Sequence, residues 1–235
     1  MLRWTFVSVW VVVGLVVPAT AEKQEQNSAM SANLNAFIKN RSAEFDQIPA
    51  ERRARLDELA QYVAEKRTEG TPARLTFICT HNSRRSQIAQ IWAAAAAAHY
   101  GIPHVETFSG GTEATAFNPR AVAALRRTGL GIDETKPGEN PHYEVHFAGQ
   151  ATPLGCFSKV YNESPNPQKD FCAVMVCSQA DKTCPIVRGS TARVAIPYDD
   201  PKAADGTPEE SARYDERCRQ IACEMLYVFS QVQPS

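Results

Sequence analysis

The apolar run Leu75-Thr76-Phe77-Ile78 leads straight into Cys79-Thr80-His81-Asn82-Ser83-Arg84-Arg85-Ser86, and this junction constrains the fold more than any other stretch of the chain. A strand followed by a short loop and a helix gathers successive backbone N–H groups and a helix N-terminus around one point, which favours negative charge there. The loop sets a cysteine, five residues, an arginine and a hydroxyl residue in a row. Arg85 can grip two oxygens of a tetrahedral anion through its planar fork. The same field favours the thiolate of Cys79, and Ser86 is placed to donate a hydrogen bond to its sulfur. Cys79 therefore reads as a nucleophile. Thr80, His81, Asn82, Ser83, Arg84, Arg85 and Ser86 form its oxyanion cradle. The competing reading is a buried cysteine at a strand end with solvent-facing arginines after it. The strand-loop-helix setting, the serine after the arginine and the partners downstream weigh against that.

A chain of 235 residues suits one domain with appendages, and 43 % apolar residues suffice for a proper core. A formal charge of -1 gives no basic field, which argues against a nucleic-acid partner. No internal repeat stands out, and the alanine run Ala93 to Ala98 reads as helix interior. At the N-terminus, Arg3 precedes an apolar run from Trp4 to Val17, then Pro18 and Ala19-Thr20-Ala21. This pattern predicts a secretory signal over residues 1–21, cleaved after Ala21, and hence an exported, periplasmic protein. The alternative is an uncleaved membrane anchor through residues 4–17, although that run falls short of the ~20 residues of a spanning helix.

Export bears on the seven cysteines, Cys79, Cys156, Cys172, Cys177, Cys184, Cys218 and Cys223. An odd number in an oxidising compartment leaves at least one free thiol or an intermolecular bond, and Cys79 is the natural odd one out. Cys218 and Cys223 lie about 140° apart around a helix axis, so they read as buried small apolar residues and not as a pair. Cys156 and Cys172 are likewise read as unpaired.

Residues 22 to about 33 read as disordered, and residues 22–72 as a linker with an amphipathic helix over about 50–66, where Leu56, Leu59, Ala60 and Val63 recur at helical spacing. The catalytic unit opens near Ala73 and runs to about residue 233. Strands are predicted at 75–78, 105–108, 171–176 and 192–197, and helices at 86–100, 119–128 (capped by Asn118) and 208–230. Residues 133–170 are rich in Pro, Gly, Asn and charge and read as a long excursion of short irregular elements. Strands alternating with helices imply a parallel sheet covered by helices, whose ligands bind at the carboxyl ends of the strands, where Cys79 sits.

Four patches in this order resemble the low-molecular-weight phosphotyrosine phosphatase superfamily, and within it the thioredoxin-coupled arsenate reductases. They are Ile78 to Ser86 continuing into Gln87; Ser109-Gly110-Gly111-Thr112-Glu113 with Asn118-Pro119-Arg120-Ala121; Cys177-Ser178-Gln179-Ala180-Asp181-Lys182-Thr183-Cys184-Pro185; and Tyr198-Asp199-Asp200-Pro201. The resemblance covers roughly residues 73 to 232 apart from the excursion. It implies a three-layer α/β/α, flavodoxin-like fold with a four-stranded parallel sheet, here preceded by an N-terminal helical extension. It implies that Cys79 attacks an oxyanion, that Arg85 and the loop amides hold it, and that Asp200, which directly precedes the proline, protonates the leaving oxygen. A bound dianion would favour the protonated carboxyl, which suits that role.

The resemblance further implies a relay in which Cys177 attacks the Cys79–arsenate adduct and Cys184 takes over the disulfide. No cofactor and no metal are expected here, and the resemblance implies arsenate or phosphate as the oxyanion and a thioredoxin-like reductant as partner. Residues 178–183 read as a polar, mobile loop suited to the exchange. The alternative is a phosphomonoester phosphatase working through a Cys79 phosphocysteine, which needs only Cys79, Arg85, Asp200 and water. A third reading is a non-catalytic oxyanion-binding module. Several departures stand out, and one is the excursion 133–170, longer than in the compact members and able to cover the site. His81 replaces the usual Gly, which predicts a loop less free to take left-handed angles. Gln90 stands where many of these reductases have a Glu beside a potassium site. The residues after Pro201 also lack the paired tyrosines that bracket an aromatic ring in phosphotyrosine enzymes.

Overall fold

A computed structural model describes residues 19–147, 152–184 and 186–232. The apolar run expected to act as a signal or anchor, residues 4–17, lies outside them. Helix α1 covers Ala19–Ser42, so residues 22–33 are helical where disorder was expected. The physical reason is tertiary. Leu34 and Ile38 are buried, and Phe37 stacks on Trp92 with ring centroids 5.2 Å apart. Burying side chains of this size is worth about 1.5–3 kcal/mol each, which polar neighbours in the sequence do not reveal. After a single 3-10 turn, Phe45–Gln47, helix α2 spans Ala50–Thr68 and buries Leu56, Leu59, Ala60, Tyr62 and Val63.

The catalytic unit alternates strand and helix. Strand β1 is Ala73–Cys79, helix α3 Arg85–His99, strand β2 Val105–Gly111 and helix α4 Pro119–Arg127. Asn118 caps α4 by accepting a hydrogen bond from the Arg120 amide at 2.9 Å, with Pro119 in the first turn. Strands β3 (Gly131–Lys136), β4 (His142–His146) and β5 (Leu154–Cys156) form a separate three-stranded antiparallel sheet. Residues 133–170 are thus more regular than the sequence suggests. Alternation is short and broken there, but the strands complete one another's hydrogen bonds. Strand β6 (Phe171–Met175), helix α5 (Ser178–Thr183), strand β7 (Ser190–Ala195) and helix α6 (Glu210–Ser230) follow.

The main sheet has the order β2-β1-β6-β7 with every pair parallel. All five residues of β6 are buried, as expected of an inner strand that has no solvent face. Helix α3 packs on β1, β2 and α6, while α2 reaches β1, β7 and α6. The alanine run lets α3 lie close to its neighbours, and Ala93, Ala95, Ala96 and Ala97 are all buried. Among the described residues, no helix is long and apolar enough to cross a membrane. The chain order of the sheet sets β1 and β6 side by side, so Cys79 and Cys177 leave the same sheet edge. The Val176 amide donates to the Ile78 carbonyl at 2.9 Å just before the two thiols diverge.

Candidate active site

Cys79 is the last residue of β1 and is nearly buried. Its sulfur lies 3.1 Å from Ser86 Oγ in the first turn of α3, and Asn82 Nδ2 donates to that same hydroxyl at 2.8 Å. Because Ser86 Oγ accepts a hydrogen bond from Asn82, its own proton is free to point at the Cys79 sulfur. The left-handed turn of the loop falls on Asn82 (φ 47°) and not on His81. Asparagine tolerates that region, so the chain makes the turn without the expected glycine, and the constraint predicted at His81 does not arise. His81 instead pairs with Glu113 at 2.9 Å, and its carbonyl accepts from Ser158 Oγ at 3.0 Å. The Ser83 carbonyl accepts from the Asn118 amide at 2.9 Å.

The loop is braced by the later part of the excursion. The Lys159 amide donates to Asn82 Oδ1 at 2.9 Å, and Gln87 Nε2 donates to the Phe157 carbonyl at 2.8 Å. Gly111, facing Cys79 across the β1–β2 pair, could carry no side chain. A Cβ there would meet the Thr80 carbonyl oxygen at 2.6 Å and the Asn82 nitrogen at 2.7 Å. This close approach is the signal the Gly110-Gly111 pair carried. Lys159 itself is buried, and desolvation pushes its ammonium down to about 8.

Arg85 donates from Nη1 to the Tyr198 carbonyl at 3.0 Å and from Nη2 to Asp200 Oδ2 at 2.6 Å. Its buried Nε has no partner among the described residues, a donor that an anion in the loop would satisfy. Arg84 also turns toward the acid, with Nη1 3.8 Å from Asp200 Oδ1, while its Nε donates to Tyr214 at 3.0 Å. Tyr214, buried on α6, thus orients Arg84. Asp200 belongs to the site by position. Asp199 is almost fully exposed and lies 3.6 Å from Arg217.

Cys177 is fully buried, with its sulfur 3.6 Å from Thr80 Oγ1 and accepting from the Ala180 amide at 3.3 Å. It caps the N-terminus of α5, so residues 178–183 form a short helix where a loop was expected. Capping by the sulfur supplies the partner that short polar sequences rarely reveal. Cys184 closes the helix and is only partly buried, beside the exposed Ile186. Arg193 holds this end by donating to the Cys184 and Asp181 carbonyls at 3.3 and 2.9 Å. All seven cysteines are thiols, so neither Cys156–Cys172 nor Cys218–Cys223 is bridged. Gln90 donates to the Thr107 carbonyl at 3.0 Å and leaves its buried Oε1 without a partner among the described residues. No cluster of three or more His, Cys, Asp or Glu suited to a metal occurs among those residues.

A thiol at the end of a parallel strand, in contact with a hydroxyl and followed in the same loop by an arginine that pairs with an aspartate, has the make-up of a cysteine-based oxyanion site. Residues 74–144 match the family described as low molecular weight phosphotyrosine protein phosphatase. An arsenate reductase of Shouchella clausii is 31 % identical over 143 residues, 61 % of this chain and 84 % of that protein. One from Bacillus licheniformis is 29 % identical over 155 residues, covering 66 % of this chain and 93 % of the relative. Among solved structures, the thioredoxin-dependent arsenate reductase of Corynebacterium glutamicum is similar at 17 % identity and TM-score 0.37, covering 91 % of this chain and 99 % of that one. The chain belongs to the low-molecular-weight phosphotyrosine phosphatase family, on its arsenate reductase side.

Proposed function

We propose that this enzyme reduces arsenate to arsenite through Cys79, Cys177 and Cys184. The observation that carries the reading is the second thiol: Cys177 reaches the nucleophile loop at Thr80, where simple ester hydrolysis needs no sulfur. Cys79 attacks arsenic and Asp200 protonates the departing oxygen, which leaves as water. Cys177 then attacks the Cys79 sulfur. The sulfur–arsenic bond breaks with its electron pair passing to arsenic, arsenite leaves, and a Cys79–Cys177 disulfide remains. Attack by Cys184 on Cys177 frees Cys79 and passes the disulfide to residues 177 and 184, for a thioredoxin-like dithiol to reduce. Seven residues of helical rise separate those two positions by on the order of 10 Å, beyond the ~7 Å that a disulfide spans, so α5 has to unwind in this step.

The test is arsenate-dependent reductant consumption by the reduced protein with thioredoxin and its reductase, for the wild type and Cys177→Ser. Turnover is expected in the wild type and not in the variant; full activity of Cys177→Ser would falsify the relay. A wild type that turns over no arsenate yet hydrolyses aryl phosphate would favour the second reading, a phosphomonoester phosphatase using Cys79, Arg85 and Asp200. The run Trp4 to Val17 supports export with cleavage after Ala21, or an anchor through residues 4–17 if it is retained. N-terminal sequencing of the mature protein distinguishes the two.

A further inference from the structure

Helix α2 lies outside the segment that matches the family, which begins at residue 74. One of its side chains nevertheless enters the catalytic unit. Arg52 donates from Nη1 to the Pro197 carbonyl at 3.1 Å and from Nη2 to the Ile196 carbonyl at 3.3 Å. Its Nε and Nη2 grip both oxygens of the buried Glu224 of α6, at 3.1, 3.1 and 2.8 Å. The guanidinium also lies over the ring of Tyr198, 4.6 Å from its centroid. These groups form the root of the segment that carries the acid. Ile196 and Pro197 precede Tyr198, whose carbonyl accepts from Arg85, and Asp200 follows two residues later.

We infer that Arg52 is a positioning residue, through which the N-terminal helical extension holds the acid segment against the nucleophile loop. Only a planar, multiply donating cation can satisfy two carbonyls and a carboxylate while stacking on an aromatic ring; an ammonium cannot. Glu224 fixes the guanidinium, and Gln220 Nε2 donates to Glu224 at 3.1 Å. The role rests on the reading of Asp200 as the acid that protonates the leaving oxygen. It implies that the extension is a working part of the active site and not a tether alone.

Leaving-group dependence separates positioning from a general loss of structure. The 4-nitrophenolate ion leaves with little help, whereas phenolate needs a proton, so a displaced acid harms phenyl phosphate selectively. The full chain is assayed, reduced, on both esters, as wild type, as Arg52→Lys and as Arg52→Met/Glu224→Gln, which removes the clamp without stranding a buried charge. In parallel, protection of Cys79 from iodoacetamide by inorganic phosphate reports the oxyanion cradle without turnover. The expected result is a loss of about tenfold or more on phenyl phosphate and under about threefold on 4-nitrophenyl phosphate, with phosphate protection within about twofold. Equal losses on both esters, or none, would overturn the role of Arg52. Should the double variant not fold, Arg52→Lys decides by the same criterion. With a wild type that hydrolyses neither ester while phosphate protects Cys79, single-turnover arsenite release decides: a rate lowered about tenfold or more in Arg52→Lys with phosphate protection kept supports the role of Arg52, and an unchanged rate overturns it. A wild type that phosphate does not protect overturns the oxyanion site itself.

Discussion

Two sets of thiols share this chain and differ only in where the fold puts them. Cys79, Cys177 and Cys184 stand at the carboxyl edge of the main sheet, in a loop and around a short helix. Cys156, Cys172, Cys218 and Cys223 sit in the interior of the protein. Burial pushes the first three of these up to about 12 and Cys223 up to about 11, so they stay protonated at neutral pH and act as small apolar residues. Cys218 merely accepts from the Trp92 indole at 3.3 Å. At the edge, hydroxyls and amides meet the sulfur instead: Ser86 at Cys79, and Thr80 with the Ala180 amide at Cys177. The lesson is that burial alone does not separate them, since Cys177 is as buried as Cys172. For Cys79 and Cys177, contact with hydroxyls of the 79–86 loop does.

That contrast breaks most sharply at Cys79. Its replacement by serine should lower both arsenate turnover and ester hydrolysis by at least about 10³-fold, because either proposed chemistry uses this sulfur as its nucleophile. Steady-state rates with each substrate measure this, and residual arsenate turnover above a hundredth of wild type would move the chemistry to another thiol. Next in size is Cys184→Ser. This variant should release one arsenite per protein and then stop with a Cys79–Cys177 disulfide, since nothing remains to resolve it. Rapid-quench arsenite counting distinguishes one equivalent from many.

The interior thiols should show themselves only in alkali. Their folded values are raised above the ordinary value near 9, so above about pH 9 the unfolded chain ionises while the folded chain keeps its protons. Stability then falls with rising pH, by up to about 1.4 kcal/mol per pH unit for each thiol. Lys159 opposes this with its folded value lowered from 10.5 to about 8. The unfolded chain holds a proton that the folded one has lost, so its contribution rises between those two values. Four thiols outweigh one lysine above pH 9. Urea unfolding at pH 7, 8.5 and 10 should show the drop, and Cys172→Ala should shrink it; a flat profile would mean that the interior thiols are not sealed.

The smallest effect concerns the hold on α5. Arg193→Ala removes the donors to Cys184 and Asp181, a half-exposed set worth about 0.2–1 kcal/mol. The Cys177–Cys184 disulfide should then form about two- to fivefold faster on mild oxidation, because the helix unwinds more readily. Trapping the thiols by alkylation over time checks this, and an unchanged rate would show that unwinding of α5 does not limit the exchange.

Much of the catalytic unit was legible in the sequence. The β1 run, the Asn118-Pro119 cap and the strand over 171–176 each rest on local chemistry, and each forms as expected within a residue or two. Residues 22–33, 133–170 and 178–183 were misjudged for one common reason. Their order comes from partners that polar composition does not announce: distant Trp92 beneath Phe37, neighbouring strands pairing in the second sheet, and a cysteine sulfur three residues before the amide it caps in α5.

By itself the sequence determined where an anion nest can form. A cysteine followed six residues later by an arginine, after an apolar strand, needs no distant contact to form an anion nest, because backbone amides and a helix start supply it locally. The tertiary structure decided the rest. It brought Cys177 to Thr80 and turned Asp200, not Asp199, toward Arg85. It also set Phe157 and Lys159 under the loop and reached from the extension with Arg52. Each of these pairings joins residues from different parts of the chain, and only the packing of the sheet and its helices brings them within reach of one another.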